Sequence, residues 1–518
     1  MSLAMILPPK VIHPTGEPEF TPKKSEISAL IADTFNGKIH IEWDPQAQVT
    51  TMGQLAFFIQ YLKTGHRLMP WVEECPLRYT SPNAPKKINV LGSFVLSILA
   101  GYTRYAHITR IQGDCVNAPL LGMTKVVGED SARNALKAIE ENAGISWMQK
   151  HLYQSYSPLL ELPWILDADV TIKTLYGHQE GASVGYNPHK PGRPSHTYHT
   201  YMIANVRLIL EVEVQAGNRS SSAYTAPGLW ALLDRIPRAH WPAFIRGDSD
   251  WGSDTIMTEA EQRGVDYLFK LKKSPLVKKL IHQYHCKSGW EKTHEGFEAF
   301  STELKLITWK TARRVVIVRR RLGKDRAQAP SNALPHQFSL VEPAEDLSAF
   351  EYSVLVTSLD AEVITIVQHY RDRADCENNF DEIKNQWGWC GFVTQKLAPC
   401  RLIARMIALV YNWWSLFVRL VEAEKHYEAI VSRPLLLHGV GKQTQHAGQT
   451  TLTITSSHGR ESYVKAAYTR ICAFFDELNA IAPQLTPLQC WYRILSEAMK
   501  KYLKGAVLKP PDLISCVS

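Results

Sequence analysis

Four ionisable residues follow one another at helical spacing in the last third of the chain: Tyr370, Arg373, Glu377 and Lys384. At about 100° per residue they fall within a stripe roughly 60° wide, provided one helix runs from Ala361 to about Trp387. A mixed stripe of this kind is ordinary on a solvated helix face, where each pair is worth tenths of a kcal/mol. Two earlier acids change its meaning. Trp164-Ile-Leu-Asp-Ala-Asp-Val-Thr-Ile-Lys173 alternates strictly, which predicts a half-buried strand with Asp167 and Asp169 on one face. Ala243-Phe-Ile-Arg-Gly-Asp248 reads as a second strand ending in an acid. Two strand carboxylates meeting a helix carboxylate can hold hard divalent cations through oxygen. A pair of such ions about 4 Å apart can activate water or a hydroxyl and stabilise the leaving oxygen of a phosphodiester.

Around these residues the texture changes along the chain. Residues 1–45 read as a loose lead-in, and Met52 to Ile139 is helical in pattern. Within that stretch Leu120–Thr124 followed by Glu129–Leu136, capped near Asp130, has the outline of a helix-turn-helix reader. From 151 the pattern turns α/β: the Asp169 strand, a Gly/Pro-rich loop Gly185–Pro194, an apolar strand run Tyr201–Val214, a helix Thr255–Arg263 and a strand Asp266–Lys270. Phe297–Ile307 and Arg313–Arg321 are β-patterned, which suggests a small inserted β domain. Residues 322–346 and 440–460 read as loops. Leu402–Glu424 and Tyr468–Ala482 read as helices, with Trp413-Trp414 in the core of the first. The expected divisions are a helical DNA-binding region over 1–150, core over 151–273 and 351–425, a basic β-rich insertion over 274–350, and a helical region over 426–518.

Charge supports a polyanionic partner. The net charge is only +8, but Lys270–Arg326 holds 16 Lys/Arg against five Asp/Glu. Lys272, Lys273, Arg313, Arg314, Arg319, Arg320 and Arg321 are the candidates for phosphate contacts, since neutralising phosphates releases counterions. The same run also suits a solvated face with no partner. At 45% hydrophobic and 21% charged, with 29 Gly and 29 Pro, the composition excludes collagen-like, disordered and coiled-coil classes. The apolar stretch Met406–Val418 is short for a bilayer span, so no membrane partner is expected. No charged-then-apolar leader opens the chain, and the nine Cys lack any CxxC pair, which predicts a cytoplasmic protein with reduced thiols. His282, His285 and Cys286 lack a second half at zinc spacing and read as packing or surface residues.

The spacing Tyr-x2-Arg-x3-Glu-x6-Lys, with the two acids before it, resembles the DDE transposases of bacterial insertion sequences that bear a Tyr-Arg-Glu-Lys signature. The resemblance runs from about Trp164 to Asn412. It implies an RNase H-like catalytic core with a β insertion between the second and third acids, for which the 129 residues from Asp248 to Glu377 leave room. The first acid of the family stands in Asp-x-Thr, here Asp169-Val-Thr171, with Asp167 the runner-up or an outer acid. The second is Asp248 in Arg246-Gly-Asp-Ser-Asp-Trp251; Asp250 stands where Gly is common and is a lesser alternative. The third is Glu377. The resemblance implies that these three hold two Mg2+ or Mn2+ ions. Tyr370, Arg373 and Lys384 would then contact phosphates of the element's end, and Gly177–Gly181 with Gly185–Pro194 would line the DNA path. It further implies binding of inverted-repeat ends and target DNA, metal-dependent cleavage and strand transfer, a homodimer on paired ends, and a nucleoid-associated bacterial protein. Trp251, Trp387 and Trp389 are near enough in sequence to be candidates for a flipped-base pocket, although Trp is more often a core residue. Tyr370 as a covalent recombinase nucleophile lacks the accompanying Arg/His set. A silent DNA-binding protein or an RNase H-like nuclease on the same fold are the competing readings.

Overall fold

The computed structural model describes residues 30–187, 190–219, 221–322, 349–423 and 425–510. The chain divides at Ala47. Before it, β1 (Leu30–Thr34) and β2 (Gly37–Ile41) pair as an exposed antiparallel hairpin. That hairpin replaces part of the expected loose lead-in; residues 1–29 of it, and the loop expected over 322–346 apart from its first residue, lie outside the described residues.

The body from Gln48 onward opens with β3 (Val49–Thr50) and six helices: α1 (Leu55–Thr64), α2 (Leu68–Glu73), α3 (Lys87–Leu99), α4 (Asn117–Leu120), α5 (Glu129–Ala138) and α6 (Glu141–Tyr156). Of the helix-turn-helix outline, the turn at Gly122 and the helix after it form, but the helix before the turn is cut short. Its first element, α4, is a single turn whose Asn117 donates to Thr50 at 2.6 Å and to Asp114 at 2.9 Å. Its second, α5, starts after Gly128 rather than at Asp130 and buries Ala132, Ala135 and Leu136.

The sheet strands follow: β4 (Ile165–Thr174), β5 (Ser183–Val184), β6 (Pro194–Ile203), β7 (Leu208–Ala216), β8 (Phe244–Gly247) and β9 (Asp266–Lys270). The run read as one strand over Tyr201–Val214 is two, because Asn205 and Arg207 take positive φ and reverse the chain. Between and after these strands lie α7 (Ser221–Asp234), α8 (Asp254–Arg263) and α9 (Pro275–His285). Then come β10 (Glu291–Lys292), β11 (Phe297–Leu304), β12 (Arg313–Arg321) and β13 (Phe350–Thr357). Among the described residues these form one ten-stranded sheet in the order β10-β11-β12-β13-β9-β8-β4-β6-β5, with β7 also paired to β6. β4 is antiparallel to β6 and parallel to β8, and β8 is parallel to β9. The strands of the expected β-rich insertion join the core sheet rather than forming a sheet of their own. β13 pairs antiparallel with β9, so the basic strands extend the same sheet and share its backbone hydrogen bonds.

The later helices are α10 (Val363–Arg371), α11 (Ala374–Gln386), α12 (Leu397–Val421), α13 (Ala429–Leu436), α14 (Glu461–Ile481) and α15 (Pro487–Ala498). The single helix expected over 361–387 is broken between Arg371 and Ala374, with Asp372 ending α10 and Arg373 opening α11. α12 is apolar on nearly all sides and almost wholly buried, as a helix enclosed by protein must be. Trp413 and Trp414 lie in that core. No helix among the described residues is long and apolar enough to cross a membrane. The loop expected over 440–460 is largely a hairpin, β14 (Val440–His446) and β15 (Gln449–Thr455), turned by Ala447 and Gly448 at positive φ and joined to β3.

Candidate active site

β4 and β8 fix the two strand acids. Their parallel register pairs Asp167 with Arg246 and Ala168 with Gly247. One step further brings Asp248, just past the end of β8, beside Asp169; neighbouring strands lie about 4.8 Å apart. Pleating sends Asp167, Asp169, Arg246 and Asp248 to one face. β4 is not half-exposed as its alternation predicts, because that face is covered from the α10–α11 break. Arg246 donates to the His369 carbonyl, and Cys376 is buried within electrostatic reach of both β4 acids.

The two acids of β4 meet different fates. Asp167 is 2% exposed and accepts two hydrogen bonds at 2.6 Å from the fully buried Arg246. It is a closed pair that burial shuts off from solvent. Asp169 keeps 16% of its side chain exposed, accepting from its neighbour's backbone at Val170 (2.7 Å) and from Arg373 (2.5 Å). Arg373 also donates to Glu377 at 3.2 Å, and Glu377 is 69% exposed. Asp248 accepts from the backbone N–H of Asp250 at 3.0 Å. Asp250 in turn pairs with Lys272 at 2.5 Å.

Electrostatics register the crowding. Burial, only partly offset by Arg373 and reinforced by Asp248 and Glu377, pushes the Asp169 carboxyl up to about 6. Burial also raises Asp248, against the opposing pull of the Asp250 N–H and Arg373. Tyr370 is pushed up to about 12 by burial, with Asp248, Asp169 and Glu377 adding and Arg373 opposing. The break between α10 and α11 thus still leaves Tyr370, Arg373 and Glu377 within range of the strand acids. Lys384 lies two turns further along α11, half-buried, with its charge felt at Cys390 rather than at Asp169.

Asp169 and Asp248 open into a cavity of about 560 Å³ that Tyr186, Asn218, Arg219, Asp250 and Lys272 also line. The loop after the first acid therefore contributes to this cavity through Gly185 and Tyr186, the latter 81% exposed. Of the two readings for Trp251, Trp387 and Trp389, core holds and the flipped-base pocket does not: all three are at most 1% exposed. Sequence reasoning missed Lys173, whose alternation places it on the face of Asp169. It is 4% exposed, donates to Tyr198 at 3.2 Å and to the Gly391 carbonyl, and burial lowers it to about 8.

The basic strand divides sharply. Arg313 is clamped by Asp254 at 2.6 Å and Glu261 at 2.7 Å. Arg314 donates to Ser301 and to the Leu359 carbonyl. Arg319 donates to Glu298 and to the His285 carbonyl, and stacks on Trp290. These three serve the fold, which corrects their assignment to DNA. Arg320, Arg321, Lys272 and Lys273 are exposed. His285 is buried against the Tyr352 hydroxyl.

Among the described residues, no three His, Cys, Asp or Glu side chains stand close enough together to hold one metal ion. Even so, the residues fit a hard divalent cation. The donors are all carboxylate oxygens, and two of them sit side by side with their charge disfavoured by burial and by neighbouring carboxylates. The third, Glu377, is joined to them through Arg373.

The family model described as transposase DDE domain group 1 matches residues 86–473, about three-quarters of the chain. The chain belongs to that family. A DDE transposase is an enzyme that cleaves and transfers DNA, binds DNA, and in general uses divalent metal ions. No curated protein matches this transposase. Among solved structures, a cryo-EM piggyBac transposase synaptic complex with hairpin DNA is similar to it at 11% identity, over 90% of each chain, with a TM-score of 0.37.

Proposed function

We propose that this transposase moves an insertion sequence by cut-and-paste, with Asp169, Asp248 and Glu377 as its catalytic acids. The observation that carries the reading is the register of β4 on β8, which sets Asp169 beside Asp248 at the mouth of the cavity, together with the Arg373 bridge to Glu377. The order β7-β6-β4-β8-β9, an antiparallel meander followed by two parallel strands, supports an RNase H-like core. The three carboxylates would hold two Mg2+ or Mn2+ ions. When bound, such ions lower the cost of forming a nucleophilic oxygen and of releasing the leaving one.

The chain's own residues then bind and orient. Arg373 and Tyr370 lie next to the acids and are suited to a phosphate of the element's end, with Lys384 further along the same helix. Lys272 at the cavity and the exposed Lys273, Arg320 and Arg321 are suited to backbone contacts, which position DNA without reading it. In the first step water attacks a phosphodiester at the element's end, the P–O3′ bond breaks, and a 3′-hydroxyl is freed. In the second, that hydroxyl attacks a target phosphodiester, whose own 3′-oxygen leaves. No covalent protein–DNA intermediate is required, and Tyr370, held protonated, is no nucleophile. A homodimer on paired ends, in a bacterial cytoplasm, is the expected working form.

The test is to incubate the protein with DNA carrying the inverted repeats that flank its gene, with Mg2+, and look for joined products. Glu377→Gln should lose both cleavage and joining while still binding the ends. Hydrolysis without joining would favour the nuclease reading. Tight binding with no cleavage by the wild-type protein would favour a silent DNA-binding protein.

A further inference from the structure

Arg373 resembles the buried structural arginine Arg246 in burial but not in satisfaction. Its side chain is 6% exposed, and its Nη atoms reach Asp169 and Glu377 on two different elements. Its Nε is buried with no hydrogen-bond partner. A buried guanidinium N–H without an acceptor is costly, and its planar fork is shaped to take two oxygens of one anion. Arg246, by contrast, places both Nε and Nη2 on Asp167. Arg373 is thus held by two carboxylates it satisfies one bond at a time, one of which is mostly in solvent.

We propose that Arg373 is a positioning residue that couples DNA-end binding to metal binding. Without DNA its guanidinium spans Asp169 and Glu377, and a DNA phosphate must draw it away before a divalent cation can take both carboxylates. The inference rests on the assignment of those two acids to metal. A phosphate offers the acceptors that Nε lacks, so turning toward it completes the fork while freeing the carboxylates. The cation that balances Asp169 then changes from guanidinium to metal. Because linkage is reciprocal, DNA must tighten metal binding by the same factor as metal tightens DNA binding. One consequence is that the free enzyme holds metal weakly and becomes competent only on DNA.

The experiment measures Mn2+ binding to the full-length protein by the loss of the free-ion EPR signal, with and without a short duplex carrying the inverted repeat, after subtracting the Mn2+ that the duplex takes up alone. Wild-type protein should bind Mn2+ about tenfold or more tightly when the duplex is present, within the range of ordinary coupling energies. In the absence of DNA, Arg373→Gln should tighten Mn2+ by a similar factor, and the duplex should then add little. Arg373→Lys keeps a charge but cannot span both acids, so it should fall between. Unchanged or weaker Mn2+ binding in folded Arg373→Gln, or no duplex effect in the wild type, overturns the proposal. The wild-type comparison needs no variant and stands even where Arg373→Gln fails to fold. Asp169→Asn and Asp248→Asn should abolish tight Mn2+ binding in either background. If they do not, it is the metal assignment that fails, and the coupling with it.

Discussion

Asp167 and Asp169 stand two residues apart on β4, on the same face, each with an arginine, and they do opposite things. Asp167 is sealed against Arg246 by two short bonds in a buried site. Asp169 has a single bond to a shared arginine, a neighbouring carboxylate and an open cavity. An acid that serves the fold has its charge answered fully; an acid poised for a ligand has it answered in part. The difference lies in what the adjacent strand supplies, Arg246 opposite the first and Asp248 beside the second.

The sharpest way to break this contrast is the same substitution at both positions. Asp169→Asn should lower strand transfer by about a thousandfold or more, the several kcal/mol that metal-centred charge stabilisation supplies, while a gel-shift assay still shows DNA binding. Asp167→Asn should act on folding instead. Breaking a buried pair costs about 3–5 kcal/mol, read as a lower denaturation midpoint, whereas Asp167→Leu combined with Arg246→Met should recover most of that loss.

A finer distinction lies in pH. The Asp169 carboxyl titrates higher in the folded protein than in the unfolded chain, so the native state holds the extra proton between about 4 and 6. Stability contributed by this group therefore falls as pH rises through that window. With EDTA present, Asp169→Asn should be the more stable protein at pH 8, by on the order of 3 kcal/mol at about 1.4 kcal/mol per pKa unit, and the advantage should vanish below pH 4. Thermal melts across pH measure it. The smallest effect belongs to the basic strand. Arg320→Ala and Arg321→Ala should each reduce the slope of log K against log salt by up to about one, and Arg313→Ala should leave it unchanged while lowering the melting point.

Much of the site could be read from residue types alone. The alternation 164–173 and the strand ending at Gly247 locate both aspartates, because a period of two is a local property. What closes Asp167 could not be read, since Arg246 reaches it only through the β4–β8 register, 79 residues apart. The break at Asp372–Arg373 was equally hidden, as both residues are compatible with a helix and Arg373 is engaged by a strand far away in sequence. The charge run from 270 to 326 misled for a related reason: Asp254, Glu261 and the carbonyls of His285 and Leu359, which answer Arg313, Arg314 and Arg319, lie mostly outside it. The β14–β15 hairpin escaped because ten of its fourteen positions are exposed and its apolar face rests on Leu452 and Ile454, too few to show a period.

The central claim is that three distant carboxylates gather around shared divalent ions on DNA. Anomalous scattering from manganese in crystals of the protein bound to its end DNA tests it most directly. The account predicts manganese peaks ligated by Asp169, Asp248 and Glu377, with Arg373 turned onto a phosphate. Peaks elsewhere on the protein, or Glu377 still bridged to Asp169 by Arg373 in a complex that joins DNA, would contradict it.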